Sequence, residues 1–190
     1  MSWVGFYNGK PQEIVHIQPE GETSENFEWL EVSNDLVPYV NSEYVAENGK
    51  VIPPSKEYFI SQLKADLASI RWNAQNYFVE YDGKQVRTDD ATLAALTSKI
   101  MDVQLSDKKA KEFSWNFKGL SEFFTINYDD AVKIRELISG HQQKCFDRAS
   151  EIEKVLDGQG KKAKILDILA VFLEEVSKGW PLPDKAEGTY

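Results

Sequence analysis

The chain has 190 residues, of which 42% are hydrophobic and 12% aromatic, so it has the material for a packed core and for aromatic contact surfaces. Its formal net charge of −9 argues against a nucleic-acid backbone as the main partner, because phosphate binding requires clustered Lys and Arg. The single cysteine, Cys145, excludes an internal disulfide framework.

The first 54 residues have the pattern of strands and loops. Two apolar runs, SWVGFYN and EIVHIQ, flank a turn at Gly9-Lys10-Pro11 and predict a hairpin. The run NFEWLEV alternates Phe27 and Trp29 with residues of the opposite face, which is typical of a further strand. Asn48-Gly49 marks a tight turn, and Pro53-Pro54 ends the segment. The N-terminus lacks the basic and apolar runs of a signal peptide, so we expect synthesis and folding in a cytoplasm.

Several aromatic residues of this segment lie where little periodic core is predicted. Residues 1–54 therefore either attach to a partner or lie on the helical part of the chain as extra strands, and the sequence leaves both alternatives open. We predict that the segment attaches to a partner, with candidate contact residues Trp3, Phe6, Tyr7, Trp29, Tyr39 and Tyr44.

From Ser55 onward the apolar period becomes helical. A stripe at three- and four-residue spacing predicts a first helix from Ser55, its N-cap, to near Gln75. Asp82-Gly83 then marks a hairpin. Thr88 is predicted as the N-cap of a second helix, because two aspartates follow it where the helix dipole favours anions.

The rest of the chain predicts a second hairpin and two more helices. The hairpin turns at Lys118-Gly119, and the third helix extends from near Asn127 to Gly158. The fourth helix covers residues 162–178. Its apolar stretch, 165–173, is far shorter than the roughly 20 residues that span a bilayer, so no membrane insertion is expected.

These elements predict an α+β fold, with an N-terminal β-rich segment followed by a four-helix domain with two small β-hairpins. We place the attachment segment at residues 1–54, the helical domain at 55–181 and an extended tail at 182–190. The predicted structural core includes Leu63, Leu67, Trp72, Trp115, His141, Cys145 and Phe146.

His141 and Cys145 are the sharpest chemical pair in the sequence. Because they are four residues apart, they share one helical face, within reach of a common metal ion or of a thiolate–imidazolium interaction. Two ligands do not make a zinc site, however, and the pair lies on the apolar stripe of the third helix. We therefore favour a core role, interpret His16 as a strand residue, and predict no catalytic, cofactor-binding or metal-binding residue.

A set of features between about residues 63 and 181 resembles a family of uncharacterised domains in tailed-phage tail proteins, found beside or within tail-fibre assembly proteins. These features cover about 120 of the 190 residues. In chain order they are Ile70-Arg71-Trp72, Gly83 with Val86-Arg87-Thr88-Asp89, Trp115 with Gly119, His141 with Cys145-Phe146, and Gly179-Trp180-Pro181. The chain departs from the family pattern at Trp115-Asn116 and at Asp147-Arg148.

The resemblance implies a non-enzymatic bacteriophage protein of the virion tail. We expect a structural adaptor at the baseplate or fibre attachment point that links tail fibres to the tail, as a homo-oligomer in the assembly. The alternative is a tail-fibre assembly chaperone that binds the fibre during maturation. Either role involves a tail-fibre or baseplate protein as partner, and neither involves nucleic acid or a cofactor. A small metal or thiol enzyme centred on His141 and Cys145 is the third hypothesis.

Overall fold

The computed structural model of the chain describes residues 1–19, 26–53, 55–106, 112–116, 123–160, 163–181 and 185–186. Five strands precede the first α-helix in the described chain, and pairs of strands separate the first three α-helices. Their bounds are β1 Ser2–Tyr7, β2 Lys10–Val15, β3 Phe27–Val32, β4 Val45–Glu47, β5 Lys50–Ile52, α1 Lys56–Gln75, β6 Phe78–Tyr81, β7 Lys84–Arg87, α2 Asp90–Leu105, β8 Glu112–Asn116, β9 Phe123–Asn127, α3 Tyr128–Asp157, α4 Ile165–Val176 and β10 Lys185–Ala186.

The predicted α+β fold class is confirmed, with N-terminal strands followed by four helices and small antiparallel hairpins. Three hairpin turns have an Asn-Gly or Asp-Gly pair in which both residues have positive φ, the geometry that type I′ turns require. They are Asn8-Gly9, Asn48-Gly49 and Asp82-Gly83. The first hairpin turns earlier than the sequence predicts, since Lys10 and Pro11 already belong to β2. The predicted turn at Lys118-Gly119 lies outside the described residues.

The described chain forms two compact units. Unit 1 comprises Met1–Asp66 and Ile152–Ser177, and unit 2 comprises Leu67–Glu151 and Lys178–Tyr190. The predicted boundary at residue 54 falls inside unit 1, because the segment before it packs on the first half of α1. Of the predicted tail, residues 182–184 and 187–190 lie outside the described part, and β10 pairs in parallel with β6.

Unit 1 contains a three-stranded antiparallel sheet in the order β2-β1-β3 and a β4–β5 hairpin. A hydrogen-bonded loop attaches the polypeptide after this sheet to α1. The Tyr39 hydroxyl donates to Asp66 Oδ2 at 2.9 Å, and the Tyr44 hydroxyl donates to Gln62 Oε1 at the same distance. Gln62 Nε2 in turn donates to the Tyr39 carbonyl at 3.0 Å. The Tyr39 and Phe59 rings meet edge to face, 5.6 Å apart.

Unit 2 has its core between α2, α3 and the hairpins. The buried cluster consists of Val79, Tyr81, Val86, Leu96, Ile100, Ile126, Ala131, Ile134 and Ile138. The junction from β7 to α2 differs from the prediction by one residue. Asp89, not Thr88, is the N-cap of α2, and its Oδ1 accepts from the Thr92 backbone N–H at 2.7 Å. The Thr88 hydroxyl is fully buried and instead donates to the Gln75 carbonyl.

Candidate partner-binding surface

The register of the N-terminal sheet sorts its side chains onto two faces. In an antiparallel sheet, residues directly opposite each other point to the same side. Val4 is opposite Leu30 on β3, and both are buried, together with Phe6 and Val32. This inner face belongs to the core of unit 1.

The outer face of the same sheet consists largely of aromatic rings. We call Trp3, Tyr7, Phe27 and Trp29 the aromatic face. Tyr7 on β1 is opposite Phe27 on β3. Trp29 on β3 is opposite Gly5, which lies between Trp3 and Tyr7 along β1. Trp3, Phe27 and Trp29 are half-buried, and Tyr7 is 51% exposed. Large aromatic surface that stays accessible in the folded chain is typical of a contact surface.

Gly5 makes the close packing of the aromatic face possible. The Phe27 and Trp29 rings meet edge to face, with centroids 5.2 Å apart. A Cβ atom added at Gly5 would lie 2.6 Å from Phe27 Cζ and 3.0 Å from Trp29 Cζ3. The two rings therefore lie directly over the glycine and pack against the backbone of β1.

Charged side chains flank the aromatic face. Glu13 is opposite Gly5 on the β2 side, and Glu31 is opposite Trp3 on the β3 side. Both glutamates are exposed. Lys10 is opposite Tyr7, but its Nζ donates to the Ser42 carbonyl at 3.1 Å. The aromatic face therefore has a carboxylate on each of the two outer strands of the sheet.

The structure divides the six aromatic residues predicted to contact a partner into two groups. Trp3, Tyr7 and Trp29 lie together on the aromatic face. For the other three the prediction is wrong, since they are buried inside unit 1: Phe6, Tyr39 and Tyr44. Phe27 belongs to the face but is missing from the predicted set, although its alternation with Trp29 in the sequence was the available signal.

The predicted core residues also divide. Leu63, Leu67, His141 and Cys145 are buried, and Trp115 is half-buried against the core of unit 2. Two residues correct the prediction. Trp72 is 51% exposed and Phe146 is 47% exposed. Phe146 instead lies beneath the Arg71 guanidinium, whose Cζ is 4.2 Å from the ring centroid.

His141 and Cys145 form a close pair with no route to solvent. The Cys145 Sγ is 3.8 Å from His141 Nε2, and His141 Nε2 donates to the Ala74 carbonyl at 2.9 Å. Burial raises the pKa of the Cys145 thiol above its usual value, against an opposing effect of the Arg71 charge. The thiol is therefore held in its protonated, weakly nucleophilic form.

A second pair, Ser2 and His16, has the residue types of a nucleophile and its base but the wrong hydrogen-bond polarity. Ser2 Oγ donates to Asn34 Oδ1 at 2.7 Å, and His16 Nδ1 is 2.9 Å from the same Oγ. Since a hydroxyl has one proton, His16 must be the donor to Ser2. A serine nucleophile would instead have to give its proton to the histidine. Ser2 is also fully buried, so the pair has a structural role. His16, predicted as a strand residue, lies directly after the end of β2 at Val15.

The polar side chains of a groove in unit 1 are paired within the chain. An open groove of about 710 Å³ is lined by Lys56, Lys64 and Asp157, among others. Lys64 Nζ pairs with Asp157 Oδ1 at 2.7 Å, and Lys56 Nζ donates to the Gln159 carbonyl. Within the described ranges, no three His, Cys, Asp or Glu side chains are grouped so as to hold a metal ion. None of the described helices combines the length and apolar character that a membrane crossing requires.

Comparison of the chain with family models, with curated proteins and with solved structures finds no match in any of the three.

Proposed function

We propose that this chain is a non-enzymatic bacteriophage tail protein that acts as a virion adaptor. In this role it sits at the baseplate or the fibre attachment point and joins tail fibres to the tail. The sequence resemblance over residues 63–181 supports the assignment to a phage tail. The N-terminal aromatic face, which lies outside the resemblance, supports an adaptor that contacts a protein partner.

The observation that carries the proposal is the distribution of aromatic side chains over the N-terminal sheet. On one face of the sheet, Val4, Phe6, Leu30 and Val32 are buried and belong to the core of unit 1, and the second face is the outer one. That second face nevertheless has Trp3, Tyr7, Phe27 and Trp29 side by side. Trp and Tyr are enriched at the centres of protein interfaces, where they contribute much of the binding energy.

The internal chemistry of the chain supports a binding role over the enzyme hypothesis. Catalysis by a cysteine requires an accessible thiolate, and Cys145 is buried with a raised pKa. Its neighbour His141 has its Nε2 proton committed to the Ala74 carbonyl. Both side chains are buried, at 1% and 0% exposure, which fits a structural role.

Mass spectrometry of gradient-purified particles of the encoding phage tests the adaptor role. We expect the chain to co-purify with intact particles at a fixed copy number set by the symmetry of the tail. Detection in infected cells but not in particles would contradict the adaptor and favour the assembly chaperone. A capsid protein of the same particles provides the reference for copy number.

A further inference from the structure

The negative charge of the chain is concentrated in the segment that forms the aromatic face. Residues 1–53 contain two lysines, no arginine and nine aspartates or glutamates, which gives a net charge of −7. The whole chain has a net charge of −9. The remaining residues therefore have a net charge of only −2, so most of the net negative charge belongs to the segment that contains the N-terminal sheet.

Two of these carboxylates lie on the aromatic face itself. Glu13 lies on β2, opposite Gly5, and Glu31 lies on β3, opposite Trp3 and two residues from Trp29. Both are exposed, and neither has an ion-pair partner among the residues that the structure describes. The nearest lysine in the register, Lys10, donates to the Ser42 carbonyl.

We propose that the aromatic face binds an arginine- or lysine-bearing segment of a protein partner. The inference rests on the proposed adaptor role and names the chemistry of the partner. A cation attracts the face of an aromatic ring, most strongly that of Trp, when it lies within about 6 Å of the ring centroid. Glu13 and Glu31 then provide carboxylates for the same side chain or its neighbours. The chain already contains such contacts, between Arg71 and Phe146 and between Lys84 and Phe124.

Charge complementarity selects this occupant over the others. A second copy of the chain would bring another segment of net charge −7 against the first, and like charges across an interface oppose association. A nucleic acid is repelled for the same reason. A neutral ligand, such as a glycan, would use the rings but would make no use of the concentrated charge. A cationic segment uses both features.

Calorimetric titration of the full chain with synthetic peptides tests the proposal. The probe is a short peptide of alternating arginine and serine, and its counterpart has glutamine in place of each arginine. We expect the arginine peptide to bind, with an affinity that falls as salt is raised, and the glutamine peptide not to bind. Trp29→Ala should weaken binding roughly fivefold or more, and Tyr7→Ala, which removes an exposed ring, should weaken it to a similar degree.

A matched pair of charge variants distinguishes binding at the aromatic face from non-specific attraction of the peptide to the net negative charge of the chain. The double variant Glu13→Gln with Glu31→Gln removes the two carboxylates of the aromatic face. The control, Glu43→Gln with Glu47→Gln, removes two exposed carboxylates of the same segment that lie outside the face. Both variants change the net charge equally. We expect roughly fivefold weaker binding for the first pair and less than about twofold for the control.

Three results would overturn the proposal: equal binding of the glutamine peptide, equal weakening by both charge pairs, or no binding of the arginine peptide. Equal binding of both peptides would mean that the face recognises neutral groups. Each of these results leaves the presence of the chain in virions unchanged, so the failure of this inference can be told from the failure of the adaptor role. Thermal unfolding of each variant checks that it is folded.

Discussion

At the scale of single residues, Gly5 has the most direct influence on the candidate site. Two aromatic rings of β3 lie over it, and an added methyl group would come within 2.6 Å of one of them. The aromatic face therefore depends on a residue that has no side chain of its own.

Gly5→Ala is expected to destabilise the chain by about 1–3 kcal/mol, because Phe27 and Trp29 must move off the strand. Urea unfolding followed by tryptophan fluorescence measures both the loss and the change around Trp29. The control is Gly140→Ala in α3, where an added Cβ meets nothing within 4 Å. That change should stabilise the chain by roughly 0.5–1 kcal/mol, because alanine is the better helix former. Equal effects of the two substitutions would contradict the packing described for Gly5.

The site could be predicted only in part at this scale. Alternation along β1 fixes that Trp3 and Tyr7 share one face and Phe6 the other. It does not fix which face is buried, because both faces of β1 have large apolar residues. Which face is buried is decided only by the pairing with β3 and the packing in unit 1. The prediction that Trp3, Phe6 and Tyr7 all contact a partner is therefore inconsistent with the alternation of side chains along a strand.

Helical geometry explains the two core predictions that failed. Successive residues turn by about 100° around a helix, so Trp72 lies about 180° from Leu63 on α1. Leu63 is buried, and Trp72 consequently faces solvent. Phe146 follows the buried Cys145 by one residue and points about 100° away from it. In both cases the position of the residue on the helix indicates its burial better than its aromatic character does.

At the scale of elements, two neighbouring polar residues at the junction between β7 and α2 have different roles. Asp89 caps α2, whereas the buried Thr88 hydroxyl donates to the Gln75 carbonyl and accepts from the Tyr77 N–H at 2.9 Å. Thr88 thus ties the end of α1 to the start of β6 and α2.

The two substitutions Asp89→Ala and Thr88→Val should differ in cost. Loss of an N-cap typically costs about 1 kcal/mol. Thr88→Val keeps the shape of the side chain but leaves a buried carbonyl and an N–H without their partner, at roughly 2–3 kcal/mol. Chemical denaturation of both variants measures the difference. A larger loss for Asp89→Ala would contradict the assignment and restore Thr88 as the cap.

The loop that carries Tyr39 and Tyr44 should make the stability of the chain sensitive to alkaline pH. Burial raises the pKa of both phenols above the usual value, and the hydrogen bond to Asp66 adds to the effect at Tyr39. The fold therefore favours the neutral phenols. Their contribution is fully present below about pH 10, where the unfolded phenols are also neutral, and is lost as the pH rises above it.

The double variant Tyr39→Phe with Tyr44→Phe tests this pH dependence. It should lower stability at neutral pH, because the hydrogen bonds to Asp66 and Gln62 are lost, but it should flatten the decline above about pH 10. Tyr7→Phe, at an exposed ring outside this loop, is the control and should keep the wild-type slope. Urea titrations across this pH range provide the measurement, and an unchanged slope in the double variant would contradict the account.

At the scale of the whole molecule, the fold class and most elements follow from local signals. Asn48-Gly49 and Asp82-Gly83 mark their turns, and Ser55 caps α1 by accepting from the Tyr58 N–H at 3.0 Å. The composition of the two units does not follow from such signals. Unit 1 joins the N-terminal sheet to residues 152–177, and contacts between segments so far apart leave no local pattern in the sequence.

The same distinction applies to function. The aromatic face and most of the net negative charge belong to the first 53 residues, outside the range 63–181 on which the proposed resemblance rests. We therefore propose that this first segment has the features that would select a partner, and that the proposed tail adaptor is attached through the aromatic face.

The most direct test of that claim is the amount of each variant in purified particles of a phage that lacks its own copy of the gene. We expect Trp72→Ala, which removes an equally large exposed ring outside the aromatic face, to be incorporated at the wild-type copy number. Trp29→Ala, shown by its thermal midpoint to be folded, should be incorporated at least about tenfold less, as expected when a central interface tryptophan is lost. Incorporation of folded Trp29→Ala at the wild-type copy number would contradict the account.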